Sequence, residues 1–121
     1  MSSGIPAARV QLKRAYEKAA ADDGTRVLID RLWPRGVRKA DAAIDLWLKE
    51  IAPSAALRKW FGHEPERWPQ FRERYIEEVH AQAEAFARLR DIARQGRLTL
   101  VYGARDEEHN DAVVLRELLL K

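Results

Sequence analysis

The sequence predicts an α/β domain, a small two-layer or three-layer sandwich with a largely parallel four-stranded sheet flanked by helices. Three observations predict it. Short runs of strand length and character occur at 10–16, 27–29, 44–51 and 98–102. Segments with helical periodicity lie between the third and fourth of these and after the last, and such interleaving is the pattern of an α/β fold. No repeat or low-complexity stretch argues for another architecture. The chain has 121 residues, 46% of them hydrophobic, which is enough for one core. A single domain over 1–121 is expected, with residues 1–8 as a flexible N-terminus.

Taken in order, Val10 to Tyr16 alternates loosely and reads as an edge strand, and Asp22-Asp23-Gly24 is a turn signal. Val27-Leu28-Ile29, with Leu32 after it, reads as a buried strand stopped by Trp33-Pro34-Arg35-Gly36. Residues 44, 46 and 48 are apolar in alternation, which predicts a third strand over 44–51, broken by Ala52-Pro53. Ser54 is placed to cap a short helix carrying Leu57, Trp60 and Phe61, and Gly62 suits its left-handed end. A long helix follows, with Pro65 or Pro69 in its first turn. Its stripe of Trp68, Phe71, Tyr75, Val79, Phe86, Leu89 and Ile92 runs to Gly96. Leu98 to Tyr102 is the fourth strand, and Asp106 is expected to cap a last helix with Val113, Val114 and Leu118 inward. The links between the first three strands are short, and their pairing directions stay open.

The charge balance is 22 basic against 19 acidic residues, a formal +3, and arginine dominates it. The excess sits in 26–60, with 8 basic against 4 acidic residues. The absence of cysteine excludes disulfides, thiolate metal sites and cysteine nucleophiles. No run has the length of a membrane span and the first residues lack the apolar core of a secretory signal, so a cytoplasmic protein without membrane contact is expected. His63, His80 and His109 share no metal-ligand spacing, and neither metal nor cofactor is expected. Dinucleotide, P-loop and hydrolase-elbow motifs are absent.

In an open α/β sheet, ligands lie beyond the carboxyl ends of the strands. Two stretches follow strands there: Asp30-Arg31-Leu32-Trp33-Pro34-Arg35-Gly36 and Tyr102-Gly103-Ala104-Arg105-Asp106-Glu107-Glu108-His109-Asn110. Arg31, Arg35 and Arg105 facing one cleft would take a carboxylate or phosphate bidentately. Trp33, Tyr102, Lys49 and Asn110 complete the expected binding set, and His109 and Asp30 are the candidates for acid–base chemistry. The plain alternative is that the arginines form internal salt bridges, that Asp106 to Glu108 serve the helix dipole, and that Trp33 plugs the sheet's end.

Three blocks carry a resemblance. Arg26 to Gly36, Leu46 to Ser54 with Leu57 to Phe61, and Tyr102 to Asn110 followed by Ala112-Val113-Val114-Leu115 resemble the YeaO-like family, a domain of unknown function numbered 488. The resemblance covers nearly the whole chain from about residue 10 and implies a small α/β domain without a bound cofactor. Distant relatives resemble it in the strand–Asp–Arg–Pro–Arg segment but end their last motif with a Cys-His pair. Asn110 and Asp111 stand at the corresponding positions here.

The leading expectation is therefore binding of an anionic small molecule or nucleotide, with catalysis left open. A nucleic-acid-binding module using the basic 26–60 segment is the weaker alternative, and a domain that dimerises through an exposed tryptophan or Leu118–Leu120 is a third.

Overall fold

The structure, a computed structural model, describes residues 4–121. Four strands, β1 (Val10–Arg14), β2 (Thr25–Leu28), β3 (Leu46–Trp47) and β4 (Leu98–Tyr102), form one sheet in the order β1-β4-β2-β3. Every pairing is parallel: Val10 aligns with Leu98, Val27 with Leu100 and with Leu46. Five helices accompany the sheet: α1 (Lys39–Ala42), α2 (Ala55–Phe61), α3 (Trp68–Ala81), α4 (Ala83–Gln95) and α5 (Asp111–Leu120). No helix among the described residues is long and apolar enough to cross a membrane.

The strands alternate between two different surroundings. Val27, Ile29, Leu98, Leu100 and Tyr102 enter the main core, where they meet Phe71, Tyr75 and Val79 of α3, Leu89 of α4 and Leu115 of α5. Leu28 and Val101 point the other way, into a small cluster with Ala15, Trp33, Ile44 and Trp47. β4 is buried along its whole length, as a central parallel strand should be.

The second face has little helix on it and is held largely by polar contacts. Gln11, Thr99 and Arg26 share one row across β1, β4 and β2. Asp23 lies against this row. It accepts from Gln11 Nε2 at 3.1 Å, Lys13 Nζ at 3.1 Å and Arg26 Nη1 at 2.6 Å, while its carbonyl takes the Thr99 hydroxyl at 2.7 Å. The Arg26 guanidinium also donates to the Ala42 carbonyl, and the Arg26 amide donates to Asp45 Oδ2 at 2.8 Å. Gly24 beside it is required by sterics, because its φ is +67° and a Cβ there would sit 2.3 Å from the Arg97 carbonyl oxygen.

Several elements differ from the expectation. The third strand shrinks to Leu46–Trp47, and Lys49–Ile51 winds into a 3-10 turn that buries Ile51. The long helix is two helices. It breaks at Gln82, whose backbone (φ −110°, ψ 49°) leaves the helical region and whose amide donates to Val79. Pro65–Arg67 forms a 3-10 turn, and the regular helix starts at Trp68, where Pro69 needs no amide donor. The last helix is capped by Asn110 and not by Asp106, since the Asn110 side chain accepts from the Val113 amide at 3.1 Å. Ser54 does cap α2, accepting from the Leu57 amide, and Gly62 takes the left-handed conformation at its end. Of the expected flexible N-terminus, residues 1–3 lie outside the described residues. Ile5 is buried in the core, and the Ala7 carbonyl accepts from Arg116.

The Asp23 network gives the first prediction. Burial pushes the carboxyl up, but the Ala20 amide, Lys13 and Arg26 outweigh it and hold Asp23 at about 2, below the usual 3.8. The folded value lies below the unfolded one, so the stabilisation is complete above pH 3.8 and disappears as pH falls toward 2. A shift of that size contributes roughly 2 kcal/mol. Asp23→Asn also strands the buried Arg26 charge and is expected to cost about 3 kcal/mol at neutral pH. Urea unfolding across the acid range checks both, and an acid limb as steep in the variant as in the wild type would refute the assignment.

Candidate functional site

A cavity of about 290 Å³ opens where β2 and β4 end, lined by Asp30, Pro53, Arg58, Phe61, His63, Phe71, Gly103, Ala104, His109, Asn110 and Asp111. Asp30 follows β2 and ties the two central strands together, because its Oδ2 accepts from the Gly103 amide at 2.7 Å. Glycine suits that approach: a Cβ on residue 103 would come within 3.2 Å of the same oxygen. The Asp30 carbonyl accepts from the Trp47 indole, which fixes the start of the loop.

Asp111 faces Asp30 from the first turn of α5. It is 8% exposed, and its Oδ1 accepts from the Ala112 amide at 3.0 Å. Burial pushes Asp111 well above the usual carboxyl value, and the charge of Asp30 and a hydrogen bond to it push it further; the Ala112 amide opposes this. Burial beside a second carboxyl group therefore favours the protonated form of Asp111. Tyr75 lies behind the pair. Its hydroxyl donates to the Ile51 carbonyl at 2.6 Å, and burial followed by the charges of Asp111, Asp30 and Glu78 raises it well above 10.0.

The walls are aromatic. Phe61 stacks on Phe71 with centroids 4.5 Å apart, and Trp68 stacks on Phe71 from behind at 5.6 Å. Arg58 and His63 stand exposed on the solvent side. His63 has a left-handed backbone at φ +58°, a conformation His adopts more readily than branched residues. His109 Nδ1 lies 2.8 Å from Asp106 Oδ2, and its ring meets Trp68 edge-on at 5.2 Å. Asp106 also accepts from the Glu108 and His109 amides. The His109 side chain and then the Glu108 amide hold its carboxyl below the usual range.

Of the residues predicted from sequence, the cavity brings together Asp30, His109 and Asn110. Arg31, Arg35 and Arg105 do not line it. Arg31 donates to the Pro53 carbonyl at 3.4 Å on the far side of that segment, and Arg35 and Arg105 are exposed. Trp33 donates to Val37 and packs edge-on against Trp47 on the opposite face of the sheet. The Lys49 ammonium lies 4.0 Å from the Trp47 ring centre. Tyr102 is buried in the core, raised above its usual pKa by burial and by Glu107 and Glu17. Sequence reasoning missed Asp111, Arg58, His63, Phe61 and Phe71. A signal existed for Asp111, since it falls on the buried stripe of α5 with Val114, Leu115 and Leu119, where an acid is out of place.

An asparagine reproduces the size and hydrogen bonding of a protonated carboxyl, so Asp111→Asn is expected to fold with stability within about 1 kcal/mol of wild type in mild acid. Asp111 has a folded value above its unfolded 3.8, so its contribution is complete below that pH and is lost as pH rises. Wild type should therefore lose stability relative to Asp111→Asn on going from mild acid to neutrality. Parallel pH profiles in chemical unfolding would contradict the raised value of Asp111.

The comparisons with known proteins agree with one another. The family described as "Inactive DUF488-N3 subclade" matches residues 9–121. The chain is similar to the uncharacterised protein YeaO of Escherichia coli, 46% identical over 110 residues that cover 91% of this chain and 96% of that one. It is similar to uncharacterised proteins of Mycobacterium tuberculosis and Mycobacterium bovis, each 45% identical over 111 residues that cover 92% of this chain and 93% of theirs. No solved structure matches. Two independent matches over nearly the whole chain place it: this protein belongs to the YeaO-like DUF488 family.

Proposed function

We propose that this chain is a binding domain for a small molecule carrying an acidic group, a carboxylate or a phosphate, and that the cavity beyond β2 and β4 receives it. The observation that carries the reading is the polarity of the cavity. Its exposed side has Arg58, His63 and His109, while its inner wall is Phe61 and Phe71. A guanidinium on a stem over an aromatic wall is a normal receptor for an acid. The volume of about 290 Å³ lies at the low end of small-molecule sites, which favours a compact metabolite over a dinucleotide.

Binding without turnover fits the chemistry of the last motif. Where distant relatives resemble one another in a Cys-His pair, this chain has Asn110, whose side chain caps α5 and donates to the Asp106 carbonyl at 2.8 Å. His109 has one ring nitrogen on Asp106 and meets Trp68 edge-on, and no serine, threonine, cysteine or lysine is among the lining residues. The description of the subclade as inactive supports the same reading.

The test is thermal unfolding with inorganic phosphate, succinate, ribose phosphate and a nucleoside monophosphate at millimolar concentration. A ligand at 100 times its dissociation constant stabilises the native state by about 2.7 kcal/mol, several degrees for a domain of this size. Arg58→Ala should abolish the shift and Arg35→Ala should keep it. The reading fails if no anion stabilises the protein, or if Arg35→Ala abolishes the shift and Arg58→Ala does not.

A further inference from the structure

Two buried aspartates in this molecule are treated in opposite ways. Asp23 meets Lys13 at 3.1 Å and Arg26 at 2.6 Å, so its charge is answered from within the chain. Neither Asp30 nor Asp111 takes part in an ion pair among the described residues, although both line the cavity and Asp111 is 8% exposed.

The neighbours that face the pair are already engaged. Tyr75 of α3 donates to Ile51, and Glu78 of the same helix accepts from the Ser54 amide and hydroxyl, each at 2.7 Å. The Asn110 amide donates to Asp106, and His109 Nδ1 is held by the Asp106 carboxylate. Arg58 of α2 and His63 after it stand on the solvent side. Phe61 and Phe71 line the same cavity, and aromatic faces attract a cation. No group of three or more His, Asp or Glu among the described residues is arranged to hold a metal ion.

We propose that the Asp30–Asp111 pair receives a protonated amine or guanidine, so that the ligand of this cavity is amphoteric, with its cationic end on the carboxyl pair and its acidic end at Arg58. This rests on the reading of the cavity as an acid-binding site and supplies the other half of the ligand. The exchange balances: the cation enters with its own proton, the proton held by Asp111 leaves to solvent, and both carboxylates then hydrogen-bond to the cation. Binding therefore strengthens as pH rises through the range in which Asp111 holds its proton in the empty site.

The experiment is calorimetric titration of the full chain with ω-amino acids from glycine to aminocaproate and their guanidino counterparts, against the matching unsubstituted carboxylates. Each is run in two buffers of different ionisation enthalpy. The best amino or guanidino acid should bind about tenfold or more tightly than its carboxylate and release close to one proton. Asp111→Asn should lose both the preference and the proton while still binding the carboxylate. The wild-type proton count decides the matter even if that variant folds poorly. Equal affinity for the two series, or binding without proton release, overturns this proposal and leaves the acid-binding reading standing. Proton release on addition of magnesium or zinc, with no response to the amines, also overturns it. No binding in either series overturns both.

Discussion

The open face of the sheet depends on the ion-paired carboxylate of Asp23. A parallel sheet is ordinarily covered by helices on both sides, and here the helices α2 to α5 supply one side. On the other side, Asp23 joins Gln11 and Lys13 of β1 to Arg26 of β2, and its carbonyl holds Thr99 of β4. Arg26 then carries the connection to Ala42 and Asp45, next to β3. Buried charges are expensive, and this one is tolerated because each partner is itself anchored in a strand. The rest of the face needs only a small apolar cluster around Trp33 and Trp47.

The opposite end of the sheet shows what the same side chain does without cations. Asp30 and Asp111 line the cavity beyond β2 and β4, and burial holds the Asp111 carboxyl well above its usual value. The contrast separates structure from site. Asp23 is neutralised by ion pairs, whereas Asp30 and Asp111 accept from backbone amides and form no ion pair among the described residues. Pro53, the Asp30 loop, the Gly103 loop and the N-terminus of α5 converge at this place because all strands are parallel and their carboxyl ends share one edge.

Much of this was legible in the sequence where local chemistry decides the outcome. The runs at 10–14, 27–29 and 98–102, the Ser54 cap and the Gly62 end follow from apolar spacing and from capping rules. The family could be read from three motif blocks. What could not be read was decided by tertiary context. Residues 44–51 alternate like a strand, yet edge pairing with β2 extends over only two residues before the chain must turn to bury Ile51. The break at Gln82 has no proline or glycine to announce it. At the site, composition drew attention to the arginines of 26–60, whereas the cavity is lined by Arg58, at the far end of that segment, and by Asp111, noted from sequence only as part of the last motif. A run of acids at a helix start reads as dipole compensation, and only the packing of α5 turns Asp111 inward.

The pairing of β1 with β4 has a consequence for how the chain reaches this state. Val10 aligns with Leu98, so β1 pairs with a strand that lies far along the chain from it. Contacts of such sequence separation slow folding, because the closing of a long loop precedes any gain from the strand. β2 and β3 are neighbours in both sequence and space, but β4 separates them from β1. β4 therefore joins two parts of the sheet that do not pair with each other, and the cavity beyond β2 and β4 depends on its being in place.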